Sequence, residues 1–261
     1  MNANSFRAEF GPAALVTGAS SGIGRSFAER LAAMGMDLVL VARRVERLEQ
    51  LAARLEETCG VRAKVCRIDL SQATAARQIL DATASLDIGL VVSNAGFGLK
   101  GDHANNDPDV MTSMLMVNCN TPMLLSQGFI PRLRKRGKGG IIFTSSVEAL
   151  IGCPFSTAYA ASKAFVNSLG EGLWGELAPE GIKVLTICPG ATDTEAAALQ
   201  GIDPATLSNV MAPHEVAELA LQNMDNGPVI VCSEHYKAAF EQLLALPRRQ
   251  ALTVMARSMK K

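Results

Sequence analysis

The sequence predicts an α/β fold: a doubly wound parallel sheet of about seven strands, helices on both faces, and a C-terminal helical extension. Three observations carry this expectation. Short apolar runs alternate with helix-length amphipathic segments along most of the chain. The runs are nearly all apolar, as strands buried on both faces should be. The first run opens directly into a glycine-rich turn that leads into a helix.

Ala13–Thr17 reads as the first buried strand. It runs into Gly18, Ser20, Ser21, Gly22, Ile23 and Gly24, with the glycines spaced G-x-x-x-G-x-G. A helical pattern follows, with apolar Phe27, Leu31 and Met34, closed by Gly35. Gly18 allows the tight turn, Gly22 lets the backbone approach a pyrophosphate, and Gly24 lets the helix lie close to the sheet. The helix start offers unpaired N–H groups and the positive end of its dipole to phosphates, as in Rossmann-like folds. For this motif alone, the alternative is a Gly/Ser-rich turn with no ligand.

The second strand is Asp37–Ala42. In this architecture a carboxylate at its end accepts the ribose 2′-OH of NAD, and an arginine accommodates the 2′-phosphate of NADP. Here Ala42 is followed by Arg43 and Arg44, which favours NADP(H). Arg43 is assigned to the phosphate, and Arg44 to the opening of a solvated helix over 45–58.

A third strand over 61–69 ends in Asp69 and Leu70, and a helix over 71–85 follows with Ser71 as its N-cap. The fourth strand, 87–93, ends in Asn94, Ala95 and Gly96, small residues that let a cofactor approach the backbone. A long helix over 108–136 carries Met111, Met114, Met116 and Met123, a stripe expected in the core or at a subunit contact. Pro122 should bend it just after Asn118. The fifth strand is 139–146, a helix spans 158–177, and the sixth strand, 182–188, is broken by Pro189 and Gly190. A looser segment over 192–212 leads to a helix ending near Asn226, a short seventh strand at 229–232, and two helical stretches split at Pro247. The last stretch holds Arg248, Arg249, Arg257, Lys260 and Lys261. No linker or repeat interrupts the chain, so one domain over 1–261 is expected, with a core of about 12–232 and an extension of about 233–261.

The 261 residues are 48% hydrophobic and 19% charged, with a formal net charge of zero, so a nucleic-acid partner gains no support. The apolar runs fall short of a membrane span and the first ten residues lack a signal core; a cytoplasmic protein is expected. Six cysteines without a C-x-x-C pair and three scattered histidines argue against a metal site and a disulfide framework.

Ser145, Ser146, Tyr159 and Lys163 are the chemical centre. Tyr159 and Lys163 are four residues apart and share a helix face. A free phenol titrates near ~10 and is a poor acid-base group at neutral pH. A nearby ammonium favours the phenolate, and bringing the phenol near neutrality takes ~4 kcal/mol of charge interaction. One ammonium supplies much of that in a partly dry site, and a positively charged cofactor ring the rest. The alternative for the pair alone is a solvated helix face that happens to carry Tyr and Lys.

Together, Thr17 to Gly24, Asn94 to Gly96, Asn118, Ser145 and Ser146, Tyr159 and Lys163, and Pro189 to Thr194 resemble the short-chain dehydrogenase/reductase family in order and spacing, over about residues 12–232. The resemblance implies an NADP-dependent oxidoreductase that reduces a ketone or aldehyde, or oxidises the alcohol, and assembles as a homodimer or homotetramer. It implies Tyr159 as the acid-base residue, Lys163 as its partner and ribose ligand, Ser146 as donor to the substrate carbonyl, and Asn118 as holder of a water leading to Lys163. It also implies that Asp69 and Leu70 lie at the adenine, Asn94 at the adenosine ribose, and Thr194 at the nicotinamide carboxamide, with Pro189, Gly190 and Thr192 beside it. Three positions depart from the family pattern: Ser93 replaces a common asparagine, Ser21 stands where NADP-preferring members often carry a basic residue, and a basic extension replaces the usual ending. A non-catalytic NADP-binding regulator of the same fold is the competing reading. Phe97, Leu150, Cys153, Phe155 and the 192–211 segment are candidate walls for an apolar carbonyl substrate, or else pack a lid against the sheet.

Overall fold

The computed structural model describes residues 3–259. The expected domain limits also take in residues 1, 2, 260 and 261, so Lys260 and Lys261 of the basic tail lie outside the described residues.

The apolar runs form seven parallel strands: β1 (Ala13–Thr17), β2 (Asp37–Ala42), β3 (Ala63–Arg67), β4 (Ile88–Ser93), β5 (Gly139–Thr144), β6 (Ile182–Cys188) and β7 (Val229–Val231). They lie in the order β3-β2-β1-β4-β5-β6-β7. The chain therefore leaves β1 in one direction toward β3 and resumes in the other at β4. That reversal opens a crevice beyond the carboxyl ends of β1 and β4, where ligands bind in such sheets.

Alternate strand residues supply two cores, one on each face. Ala14, Val16, Leu38 and Leu40 pack with α2 (Gly22–Ala33), α3 (Val45–Cys59) and α9 (Pro213–Gln222). Leu15, Val39, Val41 and Phe143 pack with α4 (Ala75–Ala82), α6 (Thr121–Arg136) and α7 (Thr157–Leu177). An N-terminal helix, α1 (Ala3–Phe10), was not expected from the sequence; Phe6 and Phe10 bury it against the first of these cores.

The long helix expected over 108–136 is instead α5 (Pro108–Leu115), a π-type turn over Met116–Asn120, and α6. Pro122 sits in the first turn of α6, where its missing N–H costs nothing. The break thus comes before the proline, at Asn118. Of the methionine stripe, Met114 is buried and Met123 exposed. Ser71 is not a helix N-cap: its N–H and hydroxyl both turn back to Asp69 Oδ1, and α4 starts four residues later.

The looser segment holds one short helix, α8 (Ala196–Leu199), and its base is closed by a bridge between Thr192 and Met211. The extension forms α10 (Glu234–Leu244) and α11 (Arg248–Met259). Phe240, Ala251 and Met255 from these helices form a third cluster with Val147, Ile151, Cys153 and Cys188. The tail therefore covers its own domain on the side where the sixth strand ends.

Candidate active site

The glycine turn is held from below. Thr17 Oγ1 accepts from the Asn94 N–H at 2.9 Å and the Ala95 N–H at 3.1 Å, and Asn94 Nδ2 donates to the Thr17 carbonyl at 3.1 Å. Thr144 Oγ1 donates to Asn94 Oδ1 at 3.2 Å. Asn94 thus ties the ends of β1, β4 and β5 together. A Cβ added at Gly24 would lie 2.3 Å from the Gly18 carbonyl oxygen, so only glycine lets α2 start this close to the strand. Because α2 begins at Gly22, the N–H groups of Gly22, Ile23 and Gly24 precede its first internal bonds. Asp69 and Leu70 follow β3; the Asp69 carboxylate holds Ser71, and Leu70 is buried with its carbonyl accepting from Thr121 Oγ1.

The two arginines after β2 part ways. Arg43 is exposed and makes no side-chain hydrogen bond or ion pair among the described residues. Arg44 turns to the glycine loop: its Nη2 donates to Ser21 Oγ at 2.7 Å and Ser20 Oγ at 3.1 Å. The expectation that Arg44 merely opens a solvated helix is therefore corrected. Both residues follow the strand end, and the partners Ser20, Ser21 and Glu195 are all met by the second of them. A cleft of about 900 Å³ lies beside this loop, lined in part by Ser20, Ser21, Gly22, Arg47 and Thr194.

Asn118 is buried and fully used. Its Oδ1 accepts from the Phe97 N–H at 3.1 Å, and its Nδ2 donates to the Phe97 carbonyl at 2.9 Å and to Ser162 Oγ at 2.9 Å. Ser162 Oγ in turn donates to the Tyr159 carbonyl at 2.7 Å. The π-type turn aims Asn118 inward; such turns recur at functional sites. A Cβ at Gly96 would lie 2.9 Å from Lys163 Nζ and 3.1 Å from Asn118 Oδ1, so the Asn94–Gly96 stretch touches both.

Lys163 lies on α7 and is buried; its Nζ donates to the Thr144 carbonyl at 2.8 Å and lies 5.7 Å from the Tyr159 ring centroid. Ser145 Oγ donates to the Lys163 carbonyl at 2.9 Å, which pins α7 to the end of β5. Ser146 caps a 3₁₀ turn over Val147–Leu150 and accepts the Glu148 N–H at 3.2 Å. The Val147 N–H donates to the Pro189 carbonyl at 3.0 Å, so Ser146 is fixed between the ends of β5 and β6.

The electrostatics differ from the sequence expectation. Burial raises the Tyr159 phenol, the Glu148 charge raises it further, and a hydrogen bond with Ser146 works the other way. Burial lowers the Lys163 ammonium to about 8. The expected lowering of Tyr159 by Lys163 is thus not produced by the polypeptide. The ammonium is itself desolvated and bonded to a carbonyl, and the nearest acid, Glu148, opposes the phenolate. Glu148 is held by Lys100, whose Nζ donates to its Oε1 at 2.6 Å and to Ser156 Oγ at 3.1 Å.

Pro189, Gly190, Thr192 and Thr194 start the lid. Thr192 Oγ1 donates to the Gly190 carbonyl at 3.1 Å, and Thr194 Oγ1 accepts from the Ala196 N–H at 3.2 Å. A Cβ at Gly22 would lie 2.9 Å from Thr194 Cγ2, so the lid rests on the glycine loop. The Gln200 side chain reaches Gly98 beside the Tyr159 ring. Of the expected substrate walls, Leu150 and Cys153 pack into the C-terminal cluster, and burial pushes the Cys153 thiol up to about 12. Phe97 and Phe155 remain half-buried.

Asn118, Ser146, Tyr159, Lys163 and Gly96 converge on one rim beside the glycine loop, while Arg43 stands apart. Sequence reasoning missed Lys100, Glu148, Ser162 and Glu195, and gave Thr17 of the glycine motif no role of its own. Glu148 was findable, since a carboxylate two residues after Ser146 must lie near the same strand end.

The family model described as short chain dehydrogenase matches residues 12–204. A 7beta-hydroxysteroid dehydrogenase of Clostridium sardiniense is 29% identical over 253 residues, covering 97% of each chain. A short-chain dehydrogenase from Sphingobium yanoikuyae, solved in complex with NADPH, is 35% identical with a TM-score of 0.83, covering 93% of this chain and 95% of that one. A bulky-bulky ketone specific alcohol dehydrogenase from Comamonas testosteroni is 34% identical with a TM-score of 0.78, covering 93% and 94%.

Proposed function

This chain belongs to the short-chain dehydrogenase family, and on that footing we propose that it is an NADPH-dependent reductase of bulky, largely apolar ketones. It is an oxidoreductase acting between CH–OH and C=O groups. The observation that carries the reading is the convergence of Tyr159, Ser146, Lys163 and Asn118 beside a glycine loop that only glycine can form.

The residues fit a dinucleotide. The N–H groups at the start of α2 suit a pyrophosphate, and the Arg44 guanidinium with the Ser20 and Ser21 hydroxyls suits a phosphate monoester. Asp69 and Leu70 would hold the adenine end, and Thr194 with Pro189, Gly190 and Thr192 the nicotinamide end. When bound, the cofactor supplies the hydride. Ser146 donates a hydrogen bond to the substrate carbonyl, where negative charge develops. Tyr159, kept protonated by burial, gives its proton to that oxygen. Lys163 would hold the ribose hydroxyls and carry the charge that offsets the phenolate left behind. Asn118 has both amide ends committed to Phe97 and Ser162, so it positions α7 and the Gly96 backbone as much as any water.

The named substrates of the relatives are bulky, and Phe97 and Phe155 are apolar. The half-buried Lys100–Glu148 pair adds a polar side to the pocket, so a bulky ketone with a polar substituent suits it best. One sheet orders all the elements and the C-terminal helices pack on it, which supports a single domain. Six free cysteines suit a reducing, cytoplasmic setting. Val110, Leu115, Met123, Phe165 and Trp174, exposed on α5, α6 and α7, support self-association as a homodimer or homotetramer.

The test is NADPH oxidation against ketones that increase in size from acetone to steroid and aromatic diketones, with NADH in parallel. Turnover that rises with substrate bulk and requires NADPH is the expected result. Tight NADPH binding without turnover of any ketone would instead favour the regulator reading.

A further inference from the structure

Arg44 already has an anionic partner. While its Nη2 holds the Ser20 and Ser21 hydroxyls, its Nη1 donates to Glu195 Oε2 at 2.7 Å. The other Glu195 oxygen accepts from Arg47 Nη1 at 2.6 Å. One carboxylate therefore bridges two guanidiniums beside two hydroxyls, and these contacts hold it at about 2, well below the usual carboxylate range. Two guanidiniums and two hydroxyls are also the donors that a phosphate monoester takes.

Glu195 is also a lid residue. It follows Thr194, which rests on Gly22, and precedes α8, whose far end places Gln200 beside Gly98 and the Tyr159 ring. The ion pair thus joins the end of β2 to the segment over the candidate active site.

We propose that Glu195 is a cofactor-specificity residue: its carboxylate competes with the 2′-phosphate of NADP(H) for Arg44, so the phosphate-bearing dinucleotide, and not NAD(H), frees Glu195 and the α8 turn behind it from the end of β2 while Thr194 stays on the glycine loop. The inference rests on the NADP(H) reading above. A 2′-phosphate brings more negative charge and one more acceptor oxygen than a carboxylate, so it wins the guanidinium. A ribose hydroxyl is neutral and leaves the ion pair in place. A ligand shifts such an equilibrium only through its different affinity for the two states, and here that difference is the phosphate.

The test compares Glu195→Gln and Glu195→Ala with the unaltered protein by titration of four probes: NADPH, NADH, 2′,5′-ADP and 5′-AMP. Arg44 and Glu195 are partly exposed, so the gain is modest: about three- to tenfold tighter NADPH and 2′,5′-ADP in both variants. NADH and 5′-AMP should stay within about twofold, the neutral hydroxyl having no claim on Arg44. Amide exchange over 196–200 in the unaltered protein should rise with 2′,5′-ADP and not with 5′-AMP. If 2′,5′-ADP outbinds 5′-AMP but the variants bind it no tighter, Glu195 is no competitor and the inference is overturned while the NADP(H) reading stands. If the unaltered protein does not distinguish the two nucleotides, the NADP(H) reading itself fails.

Discussion

Lys163 lies over the face of the Tyr159 ring, 5.7 Å from its centroid, while its hydrogen bond goes to the Thr144 carbonyl oxygen. The ammonium is thus anchored to β5 beside the ring and makes no hydrogen bond to the Tyr159 hydroxyl. Burial dominates both groups, raising the phenol and lowering the ammonium. A phenol held neutral is a proton donor, which suits carbonyl reduction more directly than alcohol oxidation.

Tyr159→Phe removes the proton donor and leaves the ring. Turnover of any reducible ketone should fall by about 10²- to 10⁴-fold. NADPH binding, followed by nucleotide fluorescence, should change little. Full turnover in this variant would remove Tyr159 from the mechanism.

Lys163 is lowered to about 8, so ketone reduction should decline as pH rises through about 8 and the ammonium is lost. Alcohol oxidation needs the phenolate and should instead rise with pH until that same loss. Glu148 raises the phenol, so Glu148→Gln should move the rising limb of oxidation to lower pH. Rate profiles from pH 6 to 10, measured in both directions, would check the sign.

Asn118→Ala strands the Phe97 N–H and carbonyl and the Ser162 hydroxyl. Leaving buried polar groups unpaired costs about 1–3 kcal/mol each. The variant should lose stability as well as turnover, read as a lower thermal midpoint alongside a lower kcat. A loss of kcat at unchanged stability would assign Asn118 to proton transfer alone.

Gly24→Ala would place a methyl against the Gly18 carbonyl, a contact with backbone that no side-chain rotation relieves. Overpacking of this kind costs about 1–3 kcal/mol. The thermal midpoint should drop, and dinucleotide binding should weaken because α2 must retreat from the loop.

Arg44→Ala should weaken NADPH binding by about tenfold or more, as expected for losing a charge-assisted contact to phosphate. Arg43→Ala should have the smaller effect, since Arg43 points to solvent. Paired titrations decide between them, and a larger loss in Arg43→Ala would restore the sequence-based assignment.

Much of this fold is legible in the sequence. The bounds of β1, β2 and β6 match their apolar runs residue for residue, because parallel strands buried on both faces leave unbroken apolar runs. The glycine turn and the Tyr159–Lys163 spacing were legible for the same reason: their meaning depends on neighbours along the chain. The helix α1 went unread because eight residues with two phenylalanines carry little periodic signal. The π-type turn at Asn118 went unread because it interrupts a helix without a breaker residue at that point.

Local periodicity and motif spacing thus determined the alternation of strands and helices, the position of the crevice and the choice of candidate site residues. Only the tertiary structure decided that Arg44 faces the loop, that Glu195 meets it there, and that α10 and α11 cover Leu150 and Cys153. It also reversed the expected shift of Tyr159. The physical reason is common to all of these. Direction of a side chain, desolvation and the sign of the nearest charge are properties of space, and the groups that set them lie as many as 151 residues apart in sequence.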